Sequence, residues 1–299
     1  MNKKETNIII SRIERWYNRL PSMLIEDRQS LIAKYSWSKN PVPFKNRLEK
    51  IYKPIKKGRS WGKEWDSAWF HLVGKVKKEW DDKIIVADLD FSGEGLVYDP
   101  KGNEIQGITN ASIWDPNFVR TRVILPKNCF NKNNVEIWVE TAANSLFGIY
   151  LDPDPEQENP KRHGTFDAKV ETIDIGVFRE DIWALYLDAR ILYGLIERLD
   201  KKSIRRARII NTMNQAIIAF KDDARDVKSS RKILSRELSK RATSSDLKVT
   251  AIGHAHIDTG WLWPVRETIR KCARTFSTQL DLIDKYPDYI FGASMPQHY

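Results

Sequence analysis

Cysteine is nearly absent. The 299 residues contain two, Cys129 and Cys272, far apart and with no neighbouring thiol. Neither a disulfide framework nor a CxxC metal clip can organise such a chain, and a reducing compartment is expected. Long apolar runs are also missing. The N-terminus offers only Ile8 to Ile10, too short for the core of a secretion signal, and no stretch approaches the ~20 apolar residues of a membrane span. A cytoplasmic location with no membrane partner is the expectation. Unbroken basic tracts are absent as well, although the formal net charge is +10. Lysine and arginine are dense only at Lys53 to Arg59 and Arg205 to Arg208. A nucleic-acid binder gathers its charge on one face or stripe, so no nucleic-acid partner is expected.

What is present has a globular balance: 41% hydrophobic, 30% charged and 11% aromatic residues, with eleven tryptophans. This is too apolar for a disordered chain. It is also long enough for more than one domain, since single cores stop growing at roughly 250 to 300 residues. Tryptophan serves as core material when buried and stacks on sugar rings when exposed, so its abundance leaves both uses open.

The pattern along the chain changes period several times. Ile9, Ile13, Trp16 and Leu20 recur at helical spacing and Pro21 follows; Leu24 to Tyr35 is expected to form a second helix. Asn40-Pro41-Val42-Pro43 breaks that pattern, giving a helical segment over 1–60. From Trp61 the period is that of strands: Ala68 to Val76, Lys83 to Phe91, Gly95 to Tyr98, Phe118 to Leu125, Val135 to Thr141 and Ala168 to Phe178, separated by turns such as Asp99-Pro100-Lys101-Gly102-Asn103. Consecutive short strands without intervening helices predict an antiparallel jelly-roll-like sandwich over 61–178, with Asp152 to Gly164 as a polar excursion from it. A helical connector over 179–245 follows, marked by Ile182, Leu185, Ala189, Leu192 and Ile196 on one stripe. Two further helices are expected at about Ile204 to Arg225 and Val227 to Arg241, then a linker from Ala242 to Asp246. Residues 246–299 read as strand (Leu247 to Ile252), loop, helix (Pro264 to Lys285) and strand (Tyr289 to Ser294), the first β-α-β unit of an α/β barrel. The predicted fold class is thus multidomain α and β.

At the end of the first α/β strand stands Gly253-His254-Ala255-His256-Ile257-Asp258-Thr259-Gly260-Trp261-Leu262-Trp263. In an extended chain, residues two apart project to one side, so His254, His256 and Asp258 would converge. Imidazole and carboxylate together suit zinc and similar divalent ions, and strand ends are where α/β barrels carry their active sites. The same side chains could instead hydrogen-bond the loop or cap the following helix, and the spacing alone does not choose.

The run from Ala251 through HAHIDTGWLWP and KCARTFSTQLDLIDKYPDY resembles the start of the catalytic domain of glycoside hydrolase family 38 α-mannosidases, in particular the cytosolic and vacuolar class and its bacterial relatives. Trp61-Gly62-Lys63-Glu64-Trp65, Glu94 to Tyr98, Ile105-Gln106-Gly107 and Glu140 to Gly148 look like the β-rich N-terminal domain of the same class. The resemblance implies that His256 and Asp258 are two ligands of a catalytic zinc, or of another divalent metal ion, and that Trp261 stacks beneath the bound mannose. It implies that His254 stands behind the ligands without binding the metal, and that Trp263, Arg266 and Arg270 are structural. The implied activity is hydrolysis of terminal α-linked mannose from oligosaccharides with retention of configuration. It also implies that nucleophile, general acid and two further ligands lie beyond Tyr299, so that the chain alone is expected to be an inactive N-terminal part; homo-oligomer formation stays open. The alternative is a non-catalytic carbohydrate-binding β-sandwich.

Overall fold

A computed structural model of the chain describes residues 3–109, 119–144, 166–221, 225–241, 247–261 and 263–298. They form two units, one from 1–27 with 178–249 and the other from 28–177 with 250–299. The expected polar excursion at Asp152 to Gly164 and the expected linker at Ala242 to Asp246 lie outside the described residues, apart from their flanks.

The first unit is helical: α1 (Lys3–Arg19), α2 (Glu180–Arg198), α3 (Ile204–Phe220) and α4 (Val227–Leu238). The apolar stripe of α1 supplies Ile13, Trp16 and Tyr17, and Leu20 in the turn after it continues the stripe, all buried, as the 3.6-residue period requires. Trp16 meets Phe220 edge-on at 5.9 Å between centroids, and Tyr17 stacks on Tyr186 at 5.2 Å. Side-chain caps set two starts: Ser203 accepts from the Arg206 N–H and Asp226 from the Ser229 N–H. The expected continuation of the last two helices to Arg225 and Arg241 does not occur. Lys221, with φ +47°, turns the chain out of α3, and Ser239 caps α4.

The second unit is the jelly roll. Its larger sheet has the order β3 (Lys53–Ile55), β2 (Ile32–Ser38), β5 (Ser67–Lys75), β11 (Asn134–Ala142), β7 (Glu94–Tyr98), β8 (Glu104–Thr109), with β10 (Phe130–Asn131) also on β11. The smaller sheet runs β1 (Ile25–Ser30), β13 (Thr172–Phe178), β6 (Ile85–Asp90), β9 (Arg122–Ile124). A short pair joins β12 (Asp167–Lys169) to β4 (Ser60–Lys63). β5 and β11 run antiparallel from Ser67↔Ala142 to Lys75↔Asn134. Their alternation sends Ala68, Phe70, Leu72, Val135, Ile137 and Val139 into one core with Ala87, Leu89, Val123, Ile173 and Ile175 of the smaller sheet. Trp61, Trp69, Trp80 and Trp138 are all buried, so packing accounts for these four, whereas Trp37 on β2 is half exposed.

Two expectations are corrected. Leu24 to Tyr35 is not helical, and the strands begin at Ile25, so 1–60 is not a helical segment. Leu31 and Ala33 are buried while Ile32 and Lys34 are exposed, a period of two, and β2 pairs with β5 from Ile32↔Val73 to Ser38↔Ser67. The helical spacing of other apolar residues there had hidden this alternation. The expected strand from Leu247 to Ile252 is also missing: Leu247 and Val249 are 92% and 86% exposed. Strand propensity alone does not form a ladder; a partner must supply the hydrogen bonds. Pairing starts only at β14 (Gly253–His254), parallel to β15 (Phe291–Gly292), with α5 (Val265–Lys285) between them.

Helix α5 lies on the outer face of the larger sheet. Gly107 on β8 permits this approach: a Cβ there would stand 2.7 Å from the Arg274 carbonyl oxygen, a backbone atom that cannot swing aside. The Gly107 N–H instead donates to Thr278 Oγ1 at 3.0 Å.

Candidate active site

The loop after β14 carries the candidate ligands. His256 Nε2 lies 3.0 Å from Asp258 Oδ1, with the imidazole 82% and the carboxylate 38% exposed. His254 turns elsewhere and meets Ser294 Oγ at 3.1 Å, bracing β14 against the segment after β15. The three side chains expected to converge therefore separate into a pair and a singleton, because the chain is extended only through His254. Trp261 is 56% exposed, its ring edge-on to Trp263 at 5.5 Å.

The loop is shaped chiefly by a residue that sequence reasoning passed over. Thr268, buried in the first turns of α5, donates from Oγ1 to the Asp258 carbonyl at 3.1 Å and accepts from Gly260 N–H at 3.0 Å and Trp263 Nε1–H at 3.1 Å. One hydroxyl thus ties both ends of the loop to the helix. Gly260 turns the chain at φ +75°, a left-handed conformation that favours glycine. Thr259 Oγ1 reaches His298 Nε2 at 2.9 Å. A Thr four residues after a helix-starting Pro carries no sequence signal of such a role.

Behind the loop, α5 is anchored by charge. Arg270 donates from one nitrogen to Glu267 Oε1 at 2.8 Å and to Ser67 Oγ at 3.1 Å, and from another to the Thr141 carbonyl at 2.6 Å; it also pairs with Glu140. Burial opposes its charge, but Glu140 and Glu267 outweigh burial and push the guanidinium pKa up. Lys271 and Arg274 reach Glu94 at 2.8 and 2.7 Å. Burial would raise the Glu94 pKa, yet Arg274 and Lys271 hold it below the usual carboxylate range. Lys271 Nζ also stands 4.5 Å over the Trp263 ring, a cation–π contact that links the anchor to the loop.

The donor set of His256 and Asp258 suits a divalent ion. Zinc takes nitrogen and oxygen ligands at about 2.0–2.2 Å, so two donors 3.0 Å apart are compatible with sharing one ion. Among the described residues no group of three or more His, Cys, Asp or Glu side chains forms a fuller set.

The class of protein follows from comparison. Residues 28–169 match the family model described as alpha-mannosidase, jelly roll domain, and residues 246–299 match that of the glycosyl hydrolases family 38 N-terminal domain. The jelly roll and the strand–helix–strand unit are therefore parts of a glycoside hydrolase architecture. Alpha-mannosidase G of Dictyostelium discoideum is 29% identical over 99% of the chain and 28% of its own length. Alpha-mannosidase 2C1 of Homo sapiens is 27% identical over 86% of the chain and 24% of its own length, and the Saccharomyces cerevisiae alpha-mannosidase 26% identical over 100% and 28%. The chain belongs to the family 38 α-mannosidases, and it spans about a quarter of the length of these relatives.

Proposed function

We propose that this chain is the N-terminal part of a metal-dependent α-mannosidase that hydrolyses terminal α-linked mannose from oligosaccharides with retention, in the cytoplasm. The observation that carries this reading is the His256–Asp258 pair, presented to solvent at a strand end on a loop fixed by Thr268. These two residues would hold zinc or another divalent ion, which when bound would supply a Lewis acid for the sugar hydroxyls. Trp261, more than half exposed beside them, offers a flat apolar face of the kind on which a pyranose ring stacks. His254 braces the strand end through Ser294 and serves the ligands by position. Two donors alone leave an ion largely to water, so the chain by itself is proposed to bind metal weakly and not to hydrolyse mannosides.

The free, buried cysteines fit a reducing compartment. Among the described residues no helix is long and apolar enough to cross a membrane.

The test joins the chain to the remaining catalytic domain of a relative and measures zinc content together with hydrolysis of an aryl α-mannoside. His256→Ala and Asp258→Ala should each lose bound zinc and lower kcat/KM by more than about a hundredfold, beyond the 10–100-fold typical of outer partners of a metal site. Full zinc content and activity in both variants would overturn the ligand assignment.

A further inference from the structure

Thr268 uses its hydroxyl differently from the neighbouring hydroxyls of α5. A Ser or Thr inside a helix commonly returns its O–H to the carbonyl of the preceding turn. Ser277 and Thr278 do so, reaching the Ala273 and Arg274 carbonyls at 2.7 Å each. Thr268 donates instead past the helix end, to the Asp258 carbonyl ten residues earlier. A hydroxyl has one proton and two lone pairs, and at Thr268 all three serve the loop, because the lone pairs accept the Gly260 N–H and the Trp263 indole N–H. The residue is 4% exposed, in surroundings where hydrogen bonds are stronger than in water. Its β-branch restricts the side chain to few rotamers, which fixes the direction of the hydroxyl.

The three partners bear on both halves of the candidate site. The Asp258 backbone carries the carboxylate that lies 3.0 Å from the His256 ring. Gly260 makes the left-handed turn, φ +75°, immediately before Trp261. Trp263 packs edge-on against Trp261 at 5.5 Å and lies beneath the Lys271 ammonium, which is itself held by Glu94. The ion pair's backbone and the ring that supports the exposed Trp261 therefore converge on one buried oxygen. Replacing that hydroxyl by a methyl would leave a carbonyl and two N–H groups without their partner at once, each paying for its lost hydrogen bond. The loop could then regain those bonds only by moving toward water, which would separate Asp258 from His256.

We infer that Thr268 is the positioning residue of this site: its hydroxyl holds the Asp258 backbone so that the carboxylate stays beside His256 for a divalent ion, and holds Trp263 behind Trp261 for a sugar ring. The inference rests on the reading of His256 and Asp258 as ion ligands, and adds that their affinity is set from inside α5.

The full chain has five histidines, few enough for their ring signals to be followed singly by NMR of the 13C-histidine-labelled protein during titration with zinc. The His256 signal is identified by its loss in His256→Ala; in the parent it should shift saturably, and Asp258→Ala should abolish that shift. Thr268→Val keeps the branched shape without the O–H and should raise the zinc Kd read at His256 about tenfold, as loss of a group behind a metal ligand does. Thr268→Ser restores the hydroxyl and should stay within about threefold of the parent, below that range. Thr268→Ala should weaken zinc in the same direction as valine, which keeps the test decisive should the valine variant not fold. Ser277→Ala removes another α5 hydroxyl, one bonded to Glu104 and Ala273 and not to the loop, and should leave the zinc Kd unchanged. The Trp263 indole N–H should exchange with solvent faster in Thr268→Val than in the parent, with no zinc present. Parental zinc affinity in both Thr268→Val and Thr268→Ala would overturn the role of Thr268 while leaving the ion ligands in place. Equal weakening in Ser277→Ala would overturn it in favour of a general loosening of α5, and unchanged indole exchange would overturn the hold on Trp263. A parental His256 signal indifferent to zinc would overturn the ligand reading, and this inference with it.

Discussion

Arg270 shows how much a single side chain can carry. It is 7% exposed and touches Glu140, Glu267, Ser67 and the Thr141 carbonyl. Removing one partner of a buried charge network strands the others, at a cost of about 3–5 kcal/mol. Arg270→Ala should therefore lower the stability of the jelly-roll unit by roughly that amount, measured as the shift of its denaturant unfolding transition. A change below about 1 kcal/mol would mean that water already screens Glu140 and Glu267. The spacing of His254, His256 and Asp258 suggests a divalent-ion site without choosing it, and only the family resemblance narrows the implied ligands to His256 and Asp258. Arg270 was recognisable only as a structural position, and Thr268 not at all, because their partners lie on distant strands that no local pattern reveals.

At the scale of elements, α5 is held to β7 by Glu94 as much as by shape. Its carboxyl is depressed by Arg274 and Lys271 against the opposing effect of burial. A carboxylate with a lowered folded-state pKa contributes stability that is fully present above its unfolded pKa and is lost as pH falls through the folded value. The parent should therefore lose thermal stability steeply below about pH 4.5, whereas Glu94→Gln should start lower and fall less steeply over the same interval. Calorimetry from neutral pH down to about pH 3 separates the two, and parallel curves would exclude Glu94 as a contributor. Most elements of the sandwich were legible, since β5, β11 and β13 are short runs rich in β-branched and aromatic residues, even though β5 and β11 are buried at several consecutive positions. β2 was not, because the apolar residues between Leu24 and Tyr35 also satisfy a helical spacing, which hides the burial of Leu31 and Ala33 on either side of the exposed Ile32. The strand from Leu247 to Ile252 failed for the opposite reason: its composition is strand-like, but a strand is defined by its neighbour.

For the whole molecule, both cysteines belong to the second unit and both are buried. Burial, with Asp99 nearby, pushes the Cys129 thiol up to about 12, and burial also raises Cys272. The thiolate is the reactive form, so neither should react appreciably with a disulfide reagent at mildly alkaline pH in the native state, and both should react at once in denaturant. Appreciable native labelling would reveal local opening around β11 or α5. The division into units could not be read from sequence order, because the helical unit is assembled from two stretches that flank the sandwich in the chain, 1–27 and 178–249.

The anchoring of α5 also orders events during synthesis. Arg270 meets Thr141 and Ser67 across 129 and 203 residues, and Gly107 meets Thr278 across 171. The last strand of the sandwich ends at Phe178 and α5 begins at Val265, a gap that a ribosome at about 5–20 residues per second covers in roughly 4 to 17 seconds, whereas β-rich domains of this kind fold in about milliseconds to seconds. The jelly-roll surface is thus complete before α5 is made. The loop bearing His256 and Asp258 emerges just ahead of that helix and takes its form against a mould that is already set.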